Sequence, residues 1–468
     1  MARLLIIGGS DAGIAAALRA READPAADVT VVVADAFPNY SICGLPFYLS
    51  GEVPDWHALA HRTAAEIEGH GITLRLDHTA QAIDPVRRAV TVVDRDGSAH
   101  DLAYDRLVIA TGAVPIRPRI AGLDLPGVYT LHSMEDSFAV HARLALDPAR
   151  AAVVIGGGYI GTEMADALTH RGLAVTLVEQ APAVLTTVDP ALGALVGAEL
   201  ARHGVAVATG VAVEEIARGD GRLVVTGSGG FRAAADLVLA VVGVRPNAEL
   251  ARAAGVEVGE RGAIRVNRAM ETTLAGVYAA GDCVETWDRL LWQPAYLPLG
   301  TTAHKQGRVA GENAVGGGRQ FAGSLRTQVV KVFDLAVAGT GLGEEAARQG
   351  GFDPVTVAVT VPDHKAYYPG ARDLHIRVTG DRDTGQLLGA QMLGHWRAEV
   401  SKRIDVFAAA LFSGLAIDEL NEVDLSYTPP LSSPWDPVQM AAQAWVRAQT
   451  HQPDVRAASA DTHGTHPA

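Results

Sequence analysis

An α/β fold built on a repeated unit is predicted by three observations. A strand, a glycine turn, a helix, a second strand and a terminal acid succeed one another over residues 4–35, and the same succession returns over 152–179. Beyond Phe321 the pattern changes to alternating strands followed by a helix, so a third domain of different construction is expected there.

In the first unit the apolar run 4–7 enters Gly8-Gly9-Ser10-Asp11-Ala12-Gly13, an alanine-rich helix (14–21) follows, and the strand 29–33 ends at Asp35. Each part has a physical reason. Gly8 makes the turn and Gly13 lets helix and strand pack closely. The helix N-terminus offers unpaired N–H groups to a pyrophosphate, and Asp35 can accept from both ribose hydroxyls. Ser10 replaces the middle glycine of this pattern.

In the second unit the strand 152–155 leads into Gly156-Gly157-Gly158-Tyr159-Ile160-Gly161, where the glycine pattern is complete, and the strand 175–178 ends on Glu179. Two such units imply two dinucleotides, and a flavin with a nicotinamide is the natural pair. Glu179 favours NADH over NADPH, because an acid at that strand end bonds a free 2′-hydroxyl and repels a 2′-phosphate. No Lys or Arg occurs from 179 to 187 to offset it.

Further apolar strands are predicted at 104–113, running through Thr111 and Gly112, and at 237–243. A third, 276–283, carries a glycine turn at Gly281 and an acid at Asp282, placed to bond a flavin ribityl hydroxyl or to cap the strand end. Cys43 lies in the stretch Asn39-Tyr40-Ser41-Ile42-Cys43-Gly44-Leu45-Pro46-Phe47, at the mouth of a predicted helix. Converging N–H groups there predict a lowered thiol pKa and a reactive cysteine. The alternative is an inert structural cysteine.

Composition narrows the partners. A net charge of −14 lacks the clustered cations of a nucleic-acid footprint, which leaves a small molecule as the expected partner. The chain has 2 cysteines and so no disulfide framework, its start is too short for a secretion signal, and no apolar run approaches the ~20 residues of a spanning helix. A reducing cytoplasm is the expected compartment, with no membrane partner, and no metal ligand is assigned.

In this order, over about residues 3 to 445, the motifs resemble those of the pyridine nucleotide-disulfide oxidoreductases. The resemblance is to the subgroup with a single active-site cysteine: coenzyme A disulfide reductases, persulfide reductases, NADH oxidases and NADH peroxidases. It implies an α/β protein with two Rossmann-like dinucleotide-binding domains plus a C-terminal α+β dimerisation domain. The FAD-binding domain would be discontinuous (1–113 and 244–322), the NAD-binding domain 114–243, the dimerisation domain 323–450, and 451–468 a disordered tail. Gly8, Gly13, Asp35, Thr111, Gly112, Gly281 and Asp282 are then expected to hold FAD, and Gly156, Gly158, Gly161 and Glu179 to hold NADH. Tyr159 matches a tyrosine that covers the flavin until nicotinamide displaces it, and Cys43 matches the redox cysteine. The stretch 299–308 resembles the helix that returns to the flavin. Tyr367 and Tyr427, in polar aromatic loops, are implied to reach the partner subunit's Cys43 in a homodimer.

The chain also departs from its subgroup. Asp11 stands where NADH peroxidases carry a histidine and coenzyme A disulfide reductases a small residue, and a carboxylate near a thiolate raises its pKa unless paired or protonated. A locally satisfied helix-start Asp is the competing reading of that residue. Ile42, Glu22 and Trp435 stand where coenzyme A disulfide reductases place Asn, Arg and Lys, while His304 and His70 keep the polar character of their counterparts. These losses argue for a smaller or more apolar sulfur substrate. The leading expectation is an NADH-dependent flavoenzyme that reduces a small disulfide, persulfide or related sulfur species through Cys43. The alternatives are an oxidase or peroxidase using oxygen or hydrogen peroxide, and a flavin-binding redox sensor with little turnover.

Overall fold

The structure, a computed structural model, describes residues 2–146 and 149–450, so the expected tail at 451–468 lies outside the described residues. The chain divides into two compact units, one ending at Arg326 and the other beginning at Thr327.

The first unit holds two five-stranded parallel sheets. In one, the order is Val277–Ala279, Arg106–Ile109, Arg3–Ile7, Asp28–Val32 and Ile72–Arg75. In the other it is Ala206–Thr209, Ala174–Glu179, Ala151–Ile155, Leu237–Ala240 and Val128–Tyr129. Both sheets carry near-continuous apolar strands because helices cover their faces; Ile6, Val31, Val108, Val154 and Leu177 are fully buried. The chain passes between them twice, at Ala113–Pro115 and Val244–Pro246, and these two segments pair antiparallel. The unit also holds two three-stranded antiparallel sheets, Thr79–Asp84 with Ala89–Val93 and Ala99–Ala103, and Val213–Gly219 with Arg222–Gly227 and Phe231–Ala235, and the antiparallel pair Thr286–Asp288 with Gln293–Ala295.

The expected strand at 104–113 is shorter, Arg106–Ile109, because the chain turns at Gly112, whose φ of 68° leaves the β region. The first helix begins earlier than its alanine run, at Asp11. It lies against Gly300–Ala314 in close contact: a Cβ on Gly307 would sit 2.2 Å from the Ala12 carbonyl oxygen, and one on Gly311 2.1 Å from that of Ala16. The register of the two helices is therefore fixed by backbone approach.

The second unit is a five-stranded antiparallel sheet, in the order Gln328–Val332, Leu335–Gly341, Leu387–His395, Asp373–Asp381, Pro354–Pro362. Helices Val400–Ser413 and Pro437–Thr450 pack on it through Ile404, Phe407, Val438 and Trp445. Among the described residues no helix is long and apolar enough to cross a membrane.

Candidate active site

At the first glycine turn Gly8 has a φ of 115°, and a Cβ on Gly13 would lie 1.9 Å from the Gly8 carbonyl oxygen, so both positions require glycine. Asp35 stands past the end of the neighbouring strand, where its Oδ1 accepts from the Phe37 amide at 2.8 Å and burial raises its pKa. Beside the turn, Asn39 donates its backbone N–H to the Gly9 carbonyl while its buried Oδ1 has no hydrogen-bond partner. Across the unit Gly281 is held by Gln306 Oε1 at 2.9 Å, and burial, with Asp11 adding repulsion, pushes Asp282 up to about 6. The buried hydroxyl of Tyr296, which feels the charge of Asp282, is also unpartnered. A raised carboxylate and orphaned buried polar atoms around a glycine turn fit a flavin dinucleotide, whose hydroxyls and ring edge would supply the missing partners. Thr111 and Gly112 belong to the same region; Thr111 Oγ1 donates to the Asn247 carbonyl at 2.5 Å and the Asn247 amide donates to the Gly112 carbonyl, pinning the crossing between sheets.

The second turn repeats the geometry with Gly156 and Gly161, where a Cβ on Gly161 would fall 1.8 Å from the Gly156 carbonyl oxygen. Gly158 faces open space, which suits close approach of a pyrophosphate. Glu179 accepts from the amides of Gly157 at 2.5 Å and Ala181 at 2.7 Å, which orients its carboxylate at the strand end. Tyr159 begins the following helix, its hydroxyl accepts from Thr187 Oγ1 at 3.0 Å, and burial pushes its pKa up to about 12.

Cys43 sits in a 3-10 turn, Ile42–Gly44, that feeds the six-residue helix Leu45–Ser50. It is exposed, whereas Cys283 is fully buried and pushed up to about 11. The expected lowering of the Cys43 pKa is overturned. Its crowded surroundings raise it, and the carboxylates of Glu163, Asp11 and Asp282 raise it further. The reason is local: the helix is too short for a strong N-terminal field, and its packing against Tyr159–His170 brings Glu163 within range. Glu163 was not singled out in the sequence, although it lies one turn beyond Tyr159 on the same helix. Ile42, beside Cys43, is half-buried and its carbonyl accepts from Leu45.

Asp11 Oδ1 lies 3.3 Å from His304 Nε2, and this contact raises the His304 pKa. Of the two readings of Asp11, local satisfaction at the helix start gives way to a contact with His304 across two helices. Glu22 pairs with Arg19 at 2.9 Å and Arg308 at 3.4 Å, so the position holds an ion-pair network in place of a free cation.

In the second unit Tyr367 and Tyr427 are both exposed, and desolvation followed by the neighbouring Tyr427 hydroxyl raises the Tyr367 pKa. Their loops are tied by the Lys365 amide to the Pro429 carbonyl and by the buried Arg403, which donates to the carbonyls of Asp363 (2.8 Å) and Leu431 (3.1 Å) and pairs with Asp436 (3.2 Å). Leu431 and Trp435 are exposed beside these loops in sequence.

The chain belongs to the pyridine nucleotide-disulphide oxidoreductases: the family's sequence profile matches residues 2–307, and that of its dimerisation domain matches 327–437. It is therefore an oxidoreductase of a family that depends on FAD and NAD(P)H, and it carries the family's dimerisation domain. Over 446 residues it is 35% identical to the NAD(P)H sulfur oxidoreductase (CoA-dependent) of Pyrococcus abyssi, covering 94% of this chain and 97% of that protein. It is 33% identical over 443 residues to the NADH oxidase of Methanocaldococcus jannaschii, covering 94% and 98%. The structure of a NAD-dependent persulfide reductase from A. fulgidus superposes with a TM-score of 0.92 at 38% identity, covering 96% of this chain and 84% of that one.

Proposed function

We propose that this protein uses NADH to reduce a small disulfide or persulfide, with Cys43 as the sulfur nucleophile. The observation that carries the reading is the exposed thiol of Cys43 in the same unit as two dinucleotide-type glycine turns, in a chain similar to sulfur and persulfide reductases. The Cys43 thiolate attacks a substrate sulfur; a Cys43–substrate disulfide forms and the other sulfur leaves as a thiolate that takes a proton. FAD held by the first glycine turn would supply the two-electron chemistry that links NADH to the reopening of that disulfide. Gly8, Gly13, Asp35, Gly281 and Asp282 hold the flavin nucleotide; Gly156, Gly158, Gly161 and Glu179 hold NADH. Because the Cys43 pKa is raised, turnover limited by thiolate should climb with pH through and above the ordinary thiol range.

The substrate is less phosphorylated than coenzyme A. Ile42 is apolar, Glu22 is engaged by Arg19 and Arg308, and Trp435 exposes an indole where a cation is expected in coenzyme A disulfide reductases. The test is a comparison of kcat/KM for apolar disulfides, persulfides, coenzyme A disulfide, oxygen and peroxide. A clear preference for oxygen or peroxide would replace this reading with an oxidase, and turnover with none of them would leave a redox sensor.

Glu179→Arg should narrow or invert the preference for NADH over NADPH. Each tenfold change corresponds to about 1.4 kcal/mol, within reach of one charge-assisted contact. Unchanged NADH preference in this variant would remove Glu179 from the cofactor assignment.

The active protein is a homodimer in which Tyr367 and Tyr427 of one chain serve the partner subunit's Cys43. Both lie on the exposed loops of the dimerisation domain. Specific activity should fall on dilution as the dimer dissociates in a concentration-dependent sizing experiment; a fully active monomer would contradict the assignment.

A further inference from the structure

The alanine face of the Asp11–Ala23 helix and Gly307 and Gly311 of the Gly300–Ala314 helix bring the two backbones into contact, and this fixes the start of both helices side by side. Asp11 opens the first helix, and a Cβ on Gly300 at the start of the second would lie 3.4 Å from Asp11 Oδ2. One turn on, His304 Nε2 meets Asp11 Oδ1 at 3.3 Å. The segment that carries Cys43 is tied to the strip beside this pair, since the Ser41 amide donates to the Leu59 carbonyl at 2.8 Å, the His61 amide donates to the Asn39 carbonyl at 2.9 Å and the His61 ring lies 6.3 Å from that of His304. The Asp11 carboxylate adds to the burial that raises both Cys43 and Asp282.

We propose that Asp11 and His304 form a positioning pair whose net charge tunes the nucleophilicity of Cys43, on top of the larger effect of burial. With His304 protonated the pair is neutral and the thiolate meets little repulsion from Asp11. When His304 loses its proton, a bare carboxylate faces the thiolate and disfavours it. The groups facing His304 are Asp11, which favours its charged form, and Arg62 and Lys305, which oppose it; the His61 ring lies 6.3 Å away. Those facing Cys43 are Glu163, Asp11 and Asp282, all acidic, so a cation paired with one of them has a direct electrostatic consequence. His304 contributes stability in its charged form, complete below the ordinary imidazole range and lost as pH rises through its raised value.

The inference rests on Cys43 being the reacting thiol, and it is read out by alkylation, which needs no turnover and so stands apart from the substrate assignment. The rate of Cys43 alkylation by iodoacetamide is measured against pH, with Cys43→Ser as the blank. In the unmodified protein the climb with pH should depart from a single ionisation where His304 titrates; a simple one-proton curve overturns the proposal. At pH 7, Asp11→Asn should speed alkylation by about threefold or more, and His304→Gln should slow it by a similar factor. The His304→Gln effect should vanish in the Asp11→Asn background, since no carboxylate is left to unmask. Shifts of the two single variants in the same direction, as general loosening of the helix pair would give, overturn it, as does a His304→Gln effect that survives in the double variant.

Discussion

Cys43→Ser is expected to lose disulfide and persulfide reduction by at least about a thousandfold, because a hydroxyl in that place forms no mixed disulfide. The same variant should still bind FAD, since the flavin residues lie on other elements, and can retain NADH oxidation in air. The long-wavelength absorption of thiolate against flavin in the reduced protein should disappear with the thiol. Cys283→Ser should keep both activity and absorption, as its sulfur is fully buried and donates to the carbonyls of Ala280 (3.4 Å) and Ile109 (3.6 Å). A dead Cys283→Ser beside an active Cys43→Ser would transfer the redox assignment to the other thiol.

Arg403→Met is expected to destabilise the second unit by about 3–5 kcal/mol, the range for removing one partner of a buried ion pair. Arg403 is 6% exposed, and its loss strands three carbonyl acceptors, of Ala398, Asp363 and Leu431, together with the Asp436 carboxylate. Asp436 keeps only Ser432 Oγ at 2.7 Å and the Val438 amide at 3.0 Å. Since Arg403 braces both loops, Tyr367 and Tyr427 should lose their common placement, and sulfur turnover should fall further than NADH-driven flavin reduction. Denaturant midpoints report the first effect and the split between the two activities the second. A change below about 1 kcal/mol would mean that water replaces the guanidinium without cost.

The repeated parallel unit was legible because its signals are local: glycine spacing, apolar runs and a terminal acid all fall within some thirty residues. The small antiparallel sheets and the strands Leu335–Gly341 and Pro354–Pro362 went unread, their identity resting on pairing between distant segments. The Arg403 hub was hidden for the same reason, with acceptors 28 and 40 residues away at Leu431 and Asp363. Cys43 could be chosen from sequence, whereas the sign of its pKa could not. That sign depends first on the burial of the thiol among packed elements, then on Glu163, supplied by a helix more than a hundred residues downstream, and on the Asp11 carboxylate. The Asp11–His304 contact went unread, because it follows from the close backbone approach at Gly307 and Gly311 of a helix almost three hundred residues away from Asp11.

The central claim is that electrons from NADH end on a sulfur–sulfur bond by way of Cys43. The measurement that tests it most directly is thiol release against NADH consumed, with a small disulfide as acceptor and oxygen rigorously removed. The account predicts one disulfide bond cleaved for each NADH oxidised, and none in the Cys43→Ser variant. NADH consumption that stops when oxygen is withdrawn, with no thiol released, would contradict it.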